Sequence, residues 1–535
     1  MERKPDIVFL ILDTQRVDRL SCYGYHHQTS PHLDDFAADA TLFRYGISPA
    51  QWTVPTHASM FTGLYPSEHT TQQSYSVLPD ELPTLADRLY DGGYYTAAFC
   101  NNPLVGVVHN GLRRGFYSFL NYSGLLTNRP NQAGKPKTPF GRYRQFFKRM
   151  VSGILHRMQD AFARSDALLA FAFTPLMVPF WQTALSFKGN TGRSLADAAR
   201  LLIERKGLDE GQPAFCFINL MGTHMPFHPN HEQLERFAPK VLHSKESRRF
   251  LQKLNGDVFG WLAPLASSMA GEHKAIIDGV YDAEVATQDE HLGTFFKQLR
   301  ESGAIDNTLI VVCADHGEHL GEKHLMGHTV SLYNVLTHVP LIIRDPSGIL
   351  PKGSTVEQTV STRRLFHTAL TAAGLAEEHE KRYTLLKNLS GETSDESAGN
   401  LDANLNNNLN EDLDPDGGVV FAEAVTPQNV LNLMKKHKPE LVEKHATDQG
   451  RQAVWSYPYK LIVTGNGRRE LYNYADDPTE QVDLSEELPE ISNKLYEHLQ
   501  TFKLRVDAMP SLSSRTVVQD DPQLKQRLRA LGYLE

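Results

Sequence analysis

Few side chains in this sequence could carry out chemistry, and they are far apart: Asp13, Thr53, His57, His224, Asp315, His316 and His328. Two of them, Thr53 and His57, share the stretch Gln51-Trp52-Thr53-Val54-Pro55-Thr56-His57-Ala58-Ser59-Met60-Phe61-Thr62-Gly63, around which the reading is organised. It presents a hydroxyl, a proline that stiffens the turn, and a run of small residues able to start a helix. A helix start offers free backbone N–H groups and the positive end of a dipole, which suits an anionic ester. Thr53 is expected just ahead of that start, facing the anion. A bare threonine hydroxyl has too high a pKa to attack at neutral pH, and a metal ion is the usual remedy. Asp13, Asp315 and His316 are suitable oxygen and imidazole donors for one divalent cation, with Thr53 completing the set. Mn, Zn, Mg and Ca all fit such donors. His224, His328 and His57 are candidates to hold substrate oxygens or protonate a leaving group. Singly, each is weak, because a Thr before Pro is commonly a cap and a loop His commonly solvated. The weight lies in their common place at strand ends.

The elements that must position these residues are legible. Ile7 to Leu12 is a continuous apolar run ending at Asp13, as in a strand buried on both faces of a parallel sheet. The same grammar recurs at Tyr95 to Cys100, at Ala214 to Leu220 before Gly222-Thr223-His224, at Leu309 to Cys313 before Asp315-His316, and at Val339 to Ile343. Helices are expected around Leu82 to Asp91 and over Lys274 to Arg300. Alternating strands and helices predict an α/β fold, a mostly parallel sheet sandwiched by helices. Ligands in such sheets sit at the carboxyl ends of strands, where the candidate residues fall. Residues 1–387 form the expected catalytic domain. Residues 388–418, rich in Asn, Asp, Glu, Ser and Gly, read as a disordered polar loop. A small C-terminal α+β subdomain is expected over 419–510. Its strands are Val419 to Ala424, Gln452 to Trp455, Tyr459 to Thr464 and Glu470 to Asn473, with a helix near Val430 to His437. Residues 511–535 read as a polar tail with a last helix.

With 41% hydrophobic and 22% charged residues in 535, the composition is that of a globular protein large enough for one big domain and a smaller one. A net charge of -9 argues against nucleic acid as a partner. Cys22, Cys100, Cys216 and Cys313 are far apart, which favours free thiols in a reducing compartment, and the start shows no signal-peptide pattern. The expected location is cytoplasmic. Residues 142–187 break the pattern, with a basic amphipathic helix followed by an uncharged stretch interrupted by Pro175 and Pro179. A single membrane crossing there would separate Thr53 from His224. An apolar lid, a dimer contact or a peripheral dip into the inner membrane face remain.

Taken together, several stretches resemble the sulfatase family of the alkaline phosphatase superfamily. They are Asp6-Ile-Val-Phe-Leu-Ile-Leu-Asp13-Thr14-Gln-Arg16, Leu20-Ser-Cys-Tyr-Gly24, Thr53-Val-Pro55-Thr-His57-Ala-Ser-Met-Phe-Thr62-Gly63, Ala314-Asp315-His316-Gly317-Glu318, Gly327-His328 and Leu471-Tyr-Asn-Tyr-Ala-Asp-Asp477. The resemblance spans nearly the whole chain outside 142–187 and 388–418, and implies an alkaline phosphatase-like fold. Sulfatases carry at the position of Thr53 a Cys or Ser that is oxidised to formylglycine, and threonine cannot give that aldehyde. They usually have Arg in place of His57, Lys in place of His328 and Asp in place of Thr14. At Thr53 the chain is more similar to phosphoethanolamine and phosphoglycerol transferases and to nucleotide pyrophosphatases/phosphodiesterases. The expectation is a metal-dependent hydrolase or transferase acting on phosphodiesters through Thr53, on an anionic ester substrate carried by a lipid or glycan. A sulfuric ester hydrolase and an inactive anionic glycan- or lipid-binding relative are the alternatives.

Overall fold

The computed structural model describes residues 3–106, 108–122, 188–256, 264–328, 330–387, 418–510, 512, 515 and 516. The candidate membrane segment 142–187, the polar loop and the tail helix lie outside them, apart from Gly418 and the few residues named after 510. Among the described residues no helix is long and apolar enough to cross a membrane.

Strand β1 (Asp6–Leu12) is central and wholly buried. Its side chains alternate between two cores, as strand geometry requires. Val8, Leu10 and Leu12 face one core, Ile7, Phe9 and Ile11 the other. Around it runs a nine-stranded mixed sheet. The further strands are β2 (Thr41–Ile47), β3 (Tyr95–Cys100), β4 (Ser118–Asn121), β5 (Ala214–Leu220), β6 (Thr308–Cys313), β7 (His338–Val339), β8 (Leu341–Arg344) and β9 (Ser354–Ser361). The spatial order is β7-β2-β8-β6-β1-β5-β3-β4, with β9 joined to β2. The block from β6 to β4 is parallel throughout. β8 runs antiparallel to both β6 and β2.

Helices cover both faces. α1 (Thr53–Thr62), α2 (Leu85–Asp91) and α5 (Leu365–Ala372) bury Met60, Phe61, Leu85, Leu89 and Leu370 against one face. α3 (Thr191–Glu204) and the long α4 (Gly271–Glu301) bury Leu195, Leu202, Val280 and Phe295 against the other. The architecture is the expected α/β sandwich. The sheet is more mixed than its apolar runs indicated: the expected strand Val339 to Ile343 is divided at Pro340, which cannot donate a ladder hydrogen bond. The four cysteines are free, and three are buried.

The C-terminal part is an antiparallel sheet of β10 (Val419–Ala424), β11 (Arg451–Ser456), β12 (Tyr459–Thr464) and β13 (Arg469–Asn473), with α6 (Gln428–His437) in the first connection. One face packs on Leu495, Leu499 and Phe502 of α7 (Pro489–Asp507). Each such side chain contributes about 1.5–3 kcal/mol by burial. The other face, with Trp455, Ile462 and Tyr472, packs on Ile47 and Leu332 of the larger domain. α7 was not anticipated from the sequence.

Candidate active site

Asp13 directly follows β1, Asp315 and His316 follow β6 by two and three residues, His224 follows β5, and Thr53 starts α1. The parallel block brings these carboxyl ends side by side. The ligand atoms of Asp13, Asp315 and His316 lie within 4.8 Å of one another, and all three residues are buried.

The hydrogen bonding divides each carboxylate into an anchored and an open oxygen. Asp13 Oδ2 accepts from Asn102 Nδ2 at 2.5 Å, whereas Asp13 Oδ1 has no partner. Asp315 Oδ1 accepts from the His316 N–H at 2.9 Å and the Thr14 N–H at 3.3 Å, whereas Asp315 Oδ2 has none. His316 Nδ1 donates to the Gly317 carbonyl at 2.9 Å, which turns Nε2 inward, 3.4 Å from Asp315 Oδ2 and 3.9 Å from Asp13 Oδ1. Two buried, unpaired carboxylate oxygens facing one imidazole nitrogen are costly without a positive partner. Burial, then the neighbouring Asp13 charge, pushes the Asp315 carboxyl well above its usual range. Burial, then His328, holds His316 well below the usual imidazole range, so its nitrogen stays available as a ligand. The donors fit a divalent cation. Thr14 adds only its N–H. Its φ is 62°, and its hydroxyl donates to the Asp13 carbonyl at 2.7 Å.

Thr53 is the first residue of α1, not a residue ahead of it. Trp52 is the N-cap and has no side-chain cap bond. The open first turn therefore tolerates both the Thr hydroxyl and Pro55. Thr53 Oγ1 lies 3.3 Å from His316 Nε2 and 3.5 Å from Asn102 Nδ2. Asn102, buried beyond the end of β3, touches both Asp13 and Thr53, and sequence reasoning missed it. An Asn after a strand is an ordinary turn residue, and nothing in one sequence sets it apart. The helix stops at Gly63, with φ of 74°, where an added Cβ would lie 2.6 Å from His367 Nε2.

The three further histidines differ. His57 Nδ1 donates to the Thr53 carbonyl at 2.8 Å and Nε2 accepts from Asn219 Nδ2 at 3.4 Å. Burial holds its pKa down. Both nitrogens are bound by the chain itself, so His57 braces the start of α1. His224 and His328 form a pair, with ring centroids 5.1 Å apart, and the His328 ring lies 4.5 Å from that of His316, tilted by 37°. Burial lowers the pKa of His224. At His328 burial also opposes the charge, but Glu318, whose Oε1 meets Nδ1 at 2.9 Å, reverses the balance and raises the pKa.

The C-terminal sheet reaches this site. The Glu423 N–H donates to the Pro49 carbonyl at 3.0 Å and Gln51 Nε2 to the Val425 carbonyl at 3.0 Å, which fastens the loop leading into Thr53. Lys460 Nζ on β12 donates to the Leu332 carbonyl at 2.7 Å, fastening the loop that follows His328.

The sulfatase family model matches residues 5–375. An N-acetylgalactosamine-6-O-sulfatase of Bacteroides thetaiotaomicron is 21% identical over 536 residues, spanning 94% of each chain. Steryl-sulfatase of Rattus norvegicus is 25% identical over 438 residues, spanning 69% of this chain and 67% of its own length. The phosphonate monoester hydrolase of Agrobacterium radiobacter superposes with a TM-score of 0.61 at 21% identity, over 94% of this chain and 96% of that one.

Proposed function

The chain belongs to the sulfatase family, a hydrolase of sulfuric or phosphoric esters, and from that membership we propose a metal-dependent phosphoesterase whose nucleophile is Thr53 and whose preferred substrates are phosphodiesters. The observation that carries this reading is the place of Thr53, with its hydroxyl 3.3 Å from His316 Nε2 beside the open carboxylate oxygens. Threonine has no route to an aldehyde, so this hydroxyl itself is the attacking group. Asp13, Asp315 and His316 would hold the cation. When bound, it lowers the pKa of the neighbouring hydroxyl and offsets the charge of the substrate.

The chain's own residues account for the rest. Asn102 orients Asp13 and Thr53 together. Thr53 Oγ1, entering as the alkoxide after losing its proton to solvent, forms a bond to phosphorus as the bond to the ester oxygen opposite it breaks. His328 has Nδ1 committed to Glu318, and gives the departing oxygen a proton from Nε2. Water or an acceptor alcohol then attacks the phosphothreonine. It passes its proton to His328, and the Thr53 oxygen is released. Arg16 is engaged with Asp18 and Glu322, and Lys323 with the Glu480 carbonyl. Glu318 favours the charged form of His328, and one imidazolium offsets a singly charged ester better than a doubly charged phosphomonoester.

A sulfate monoester is also singly charged, and the curated relatives named above are sulfatases, so sulfate ester hydrolysis is the second reading. Turnover of aryl phosphodiester, phosphomonoester and sulfate esters, with Thr53→Ala alongside, separates the two. Diester turnover that falls by about 10³-fold or more in Thr53→Ala is expected from loss of the nucleophile. Sulfate turnover without diester turnover would reverse the preference, and activity unchanged in Thr53→Ala would remove the nucleophile assigned.

A further inference from the structure

Thr14 holds an unusual conformation at the site. It follows Asp13 directly, and its φ of 62° lies in the left-handed region that a β-branched residue seldom enters. From there its N–H reaches Asp315 Oδ1 at 3.3 Å and its hydroxyl the Asp13 carbonyl at 2.7 Å. One residue thus ties together two candidate metal ligands that follow different strands. A strained backbone persists only where its surroundings over-determine it. Here the surroundings include Tyr281, which lies on α4 and is fully buried. Its hydroxyl donates to the Thr14 carbonyl at 2.7 Å and accepts from the Arg16 N–H at 2.9 Å. A phenol has one hydrogen to give and lone pairs to receive, so both bonds form at once.

Building on the reading of Asp13, Asp315 and His316 as metal ligands, we propose that Tyr281 is a positioning residue for that cation site and acts on it through Thr14. Backbone groups on either side of Gln15 meet on its one oxygen, so the turn from Thr14 to Arg16 closes on a single point. That point is fixed because the ring is fixed. The ring meets Phe227 edge-on, with centroids 6.0 Å apart and planes at 90°, and packs within the core under the sheet. Phe227 is itself pinned, its N–H donating to Asn255 Oδ1 at 3.0 Å and its carbonyl accepting from Asn255 Nδ2 at 2.9 Å. Removing the Tyr281 hydroxyl leaves the buried Thr14 carbonyl and Arg16 N–H without that partner. Thr14 then loses the restraint on its left-handed geometry. As it relaxes, its N–H leaves Asp315 Oδ1, to which the His316 N–H still donates, and its hydroxyl leaves the Asp13 carbonyl, to which Thr223 Oγ1 still donates. The two open carboxylate oxygens no longer stay aimed at one spot, and a cation there is held less tightly.

The test reads cation binding and does not depend on turnover. The full chain is stripped of cations and kept at a temperature at which circular dichroism shows it folded. It is then titrated by calorimetry with Mn²⁺, Zn²⁺, Mg²⁺ and Ca²⁺. Tyr281→Phe keeps the ring and removes only the oxygen. It is expected to bind the wild type's tightest cation about tenfold more weakly, the low end of what the outer partners of metal ligands contribute. Tyr94→Phe separates positioning from packing. It removes another buried tyrosine's hydroxyl, one that donates to the Pro5 carbonyl at 3.1 Å, ahead of β1 and at the far end from Asp13. This variant is expected to melt lower and to bind the cation as the wild type does. Wild-type affinity in Tyr281→Phe overturns the proposal, whatever its melting temperature. An equal loss of affinity in Tyr94→Phe overturns it too, because the effect would then be general loosening. If the wild type binds none of the four cations, the metal-site reading fails and the proposal falls with it, an outcome distinct from the other two.

Discussion

Two clusters of buried charge in this molecule are built on opposite plans. At Asp13, Asp315 and His316, two carboxylate oxygens face inward with no hydrogen-bond partner. At the junction of the two domains, the Lys460 ammonium has as many acceptors as hydrogens: Glu480 Oε1 at 2.6 Å, the Leu332 carbonyl at 2.7 Å and Asn334 Oδ1 at 3.0 Å. Glu480 Oε2 is occupied as well, by the Asn334 N–H at 2.6 Å. Burial lowers the pKa of Lys460 and raises that of Glu480, and each is opposed by the charge of the other. A buried charge whose every lone pair and hydrogen is used is a fastening. A buried charge with open oxygens is a receptor for something outside the chain. Burial and charge alone do not separate these cases; the count of unsatisfied atoms does.

The largest effect expected from this contrast is at the fastening. Lys460→Met leaves Glu480 buried and uncompensated, and is expected to cost about 3–5 kcal/mol in chemical denaturation. Lys460→Met/Glu480→Leu should recover most of that loss, because an apolar pair removes both desolvation costs. A double variant as unstable as the single one would break the distinction drawn here. The receptor should respond in the other way, to an added partner. Removing bound cation with a chelator is expected to lower the melting temperature. Returning a cation that binds, at about 100 times its Kd, should restore about 2.7 kcal/mol. Asp315→Asn should abolish that response while leaving the junction untouched.

A pair at the rim, Arg16–Glu322 at 2.8 Å, falls between the two, since Glu322 is partly open to solvent. Burial opposes its ionisation, but Arg16, and then Lys274, hold its carboxyl far below the usual range. The folded pKa is therefore below the unfolded one of about 4.3. Its stabilisation is complete above that value and fades as pH falls below it. Glu322→Gln is expected to flatten the acid limb of stability by about 1 kcal/mol, the smallest effect of the three.

Much of this was legible in the sequence because strands buried on both faces must read as unbroken apolar runs. β3, β5, β10 and β12 begin and end at the expected residues. The edge of the sheet was harder. β2 and β9 carry Thr, Arg, Glu and Gln among their apolar residues and were missed. α7 was missed because its buried side chains, Leu495, Leu499 and Phe502, are thinly spread in a charged segment. At the site, Asp13, Asp315 and His316 announced themselves by falling just beyond strand ends, and the structure brings them together. His57 did not show its nature: four residues after Thr53 it reads as a pocket residue, yet the i to i+4 geometry of a helix turns its ring back onto the Thr53 carbonyl. Asn102 was silent for the opposite reason, as an everyday residue in an everyday place whose role is set only by what the fold puts across from it.

The two anchors from the C-terminal sheet, on the loop before Thr53 and on the loop after His328, have a consequence for timing. A ribosome delivers Asp13 and Thr53 before the C-terminal sheet, and domains fold as they emerge. The clamps at Glu423, Val425 and Lys460 arrive only after several hundred further residues have left the exit tunnel. A nascent chain therefore holds Thr53 and its candidate metal ligands long before it can hold them still, and the site is braced only once β10 and β12 have emerged.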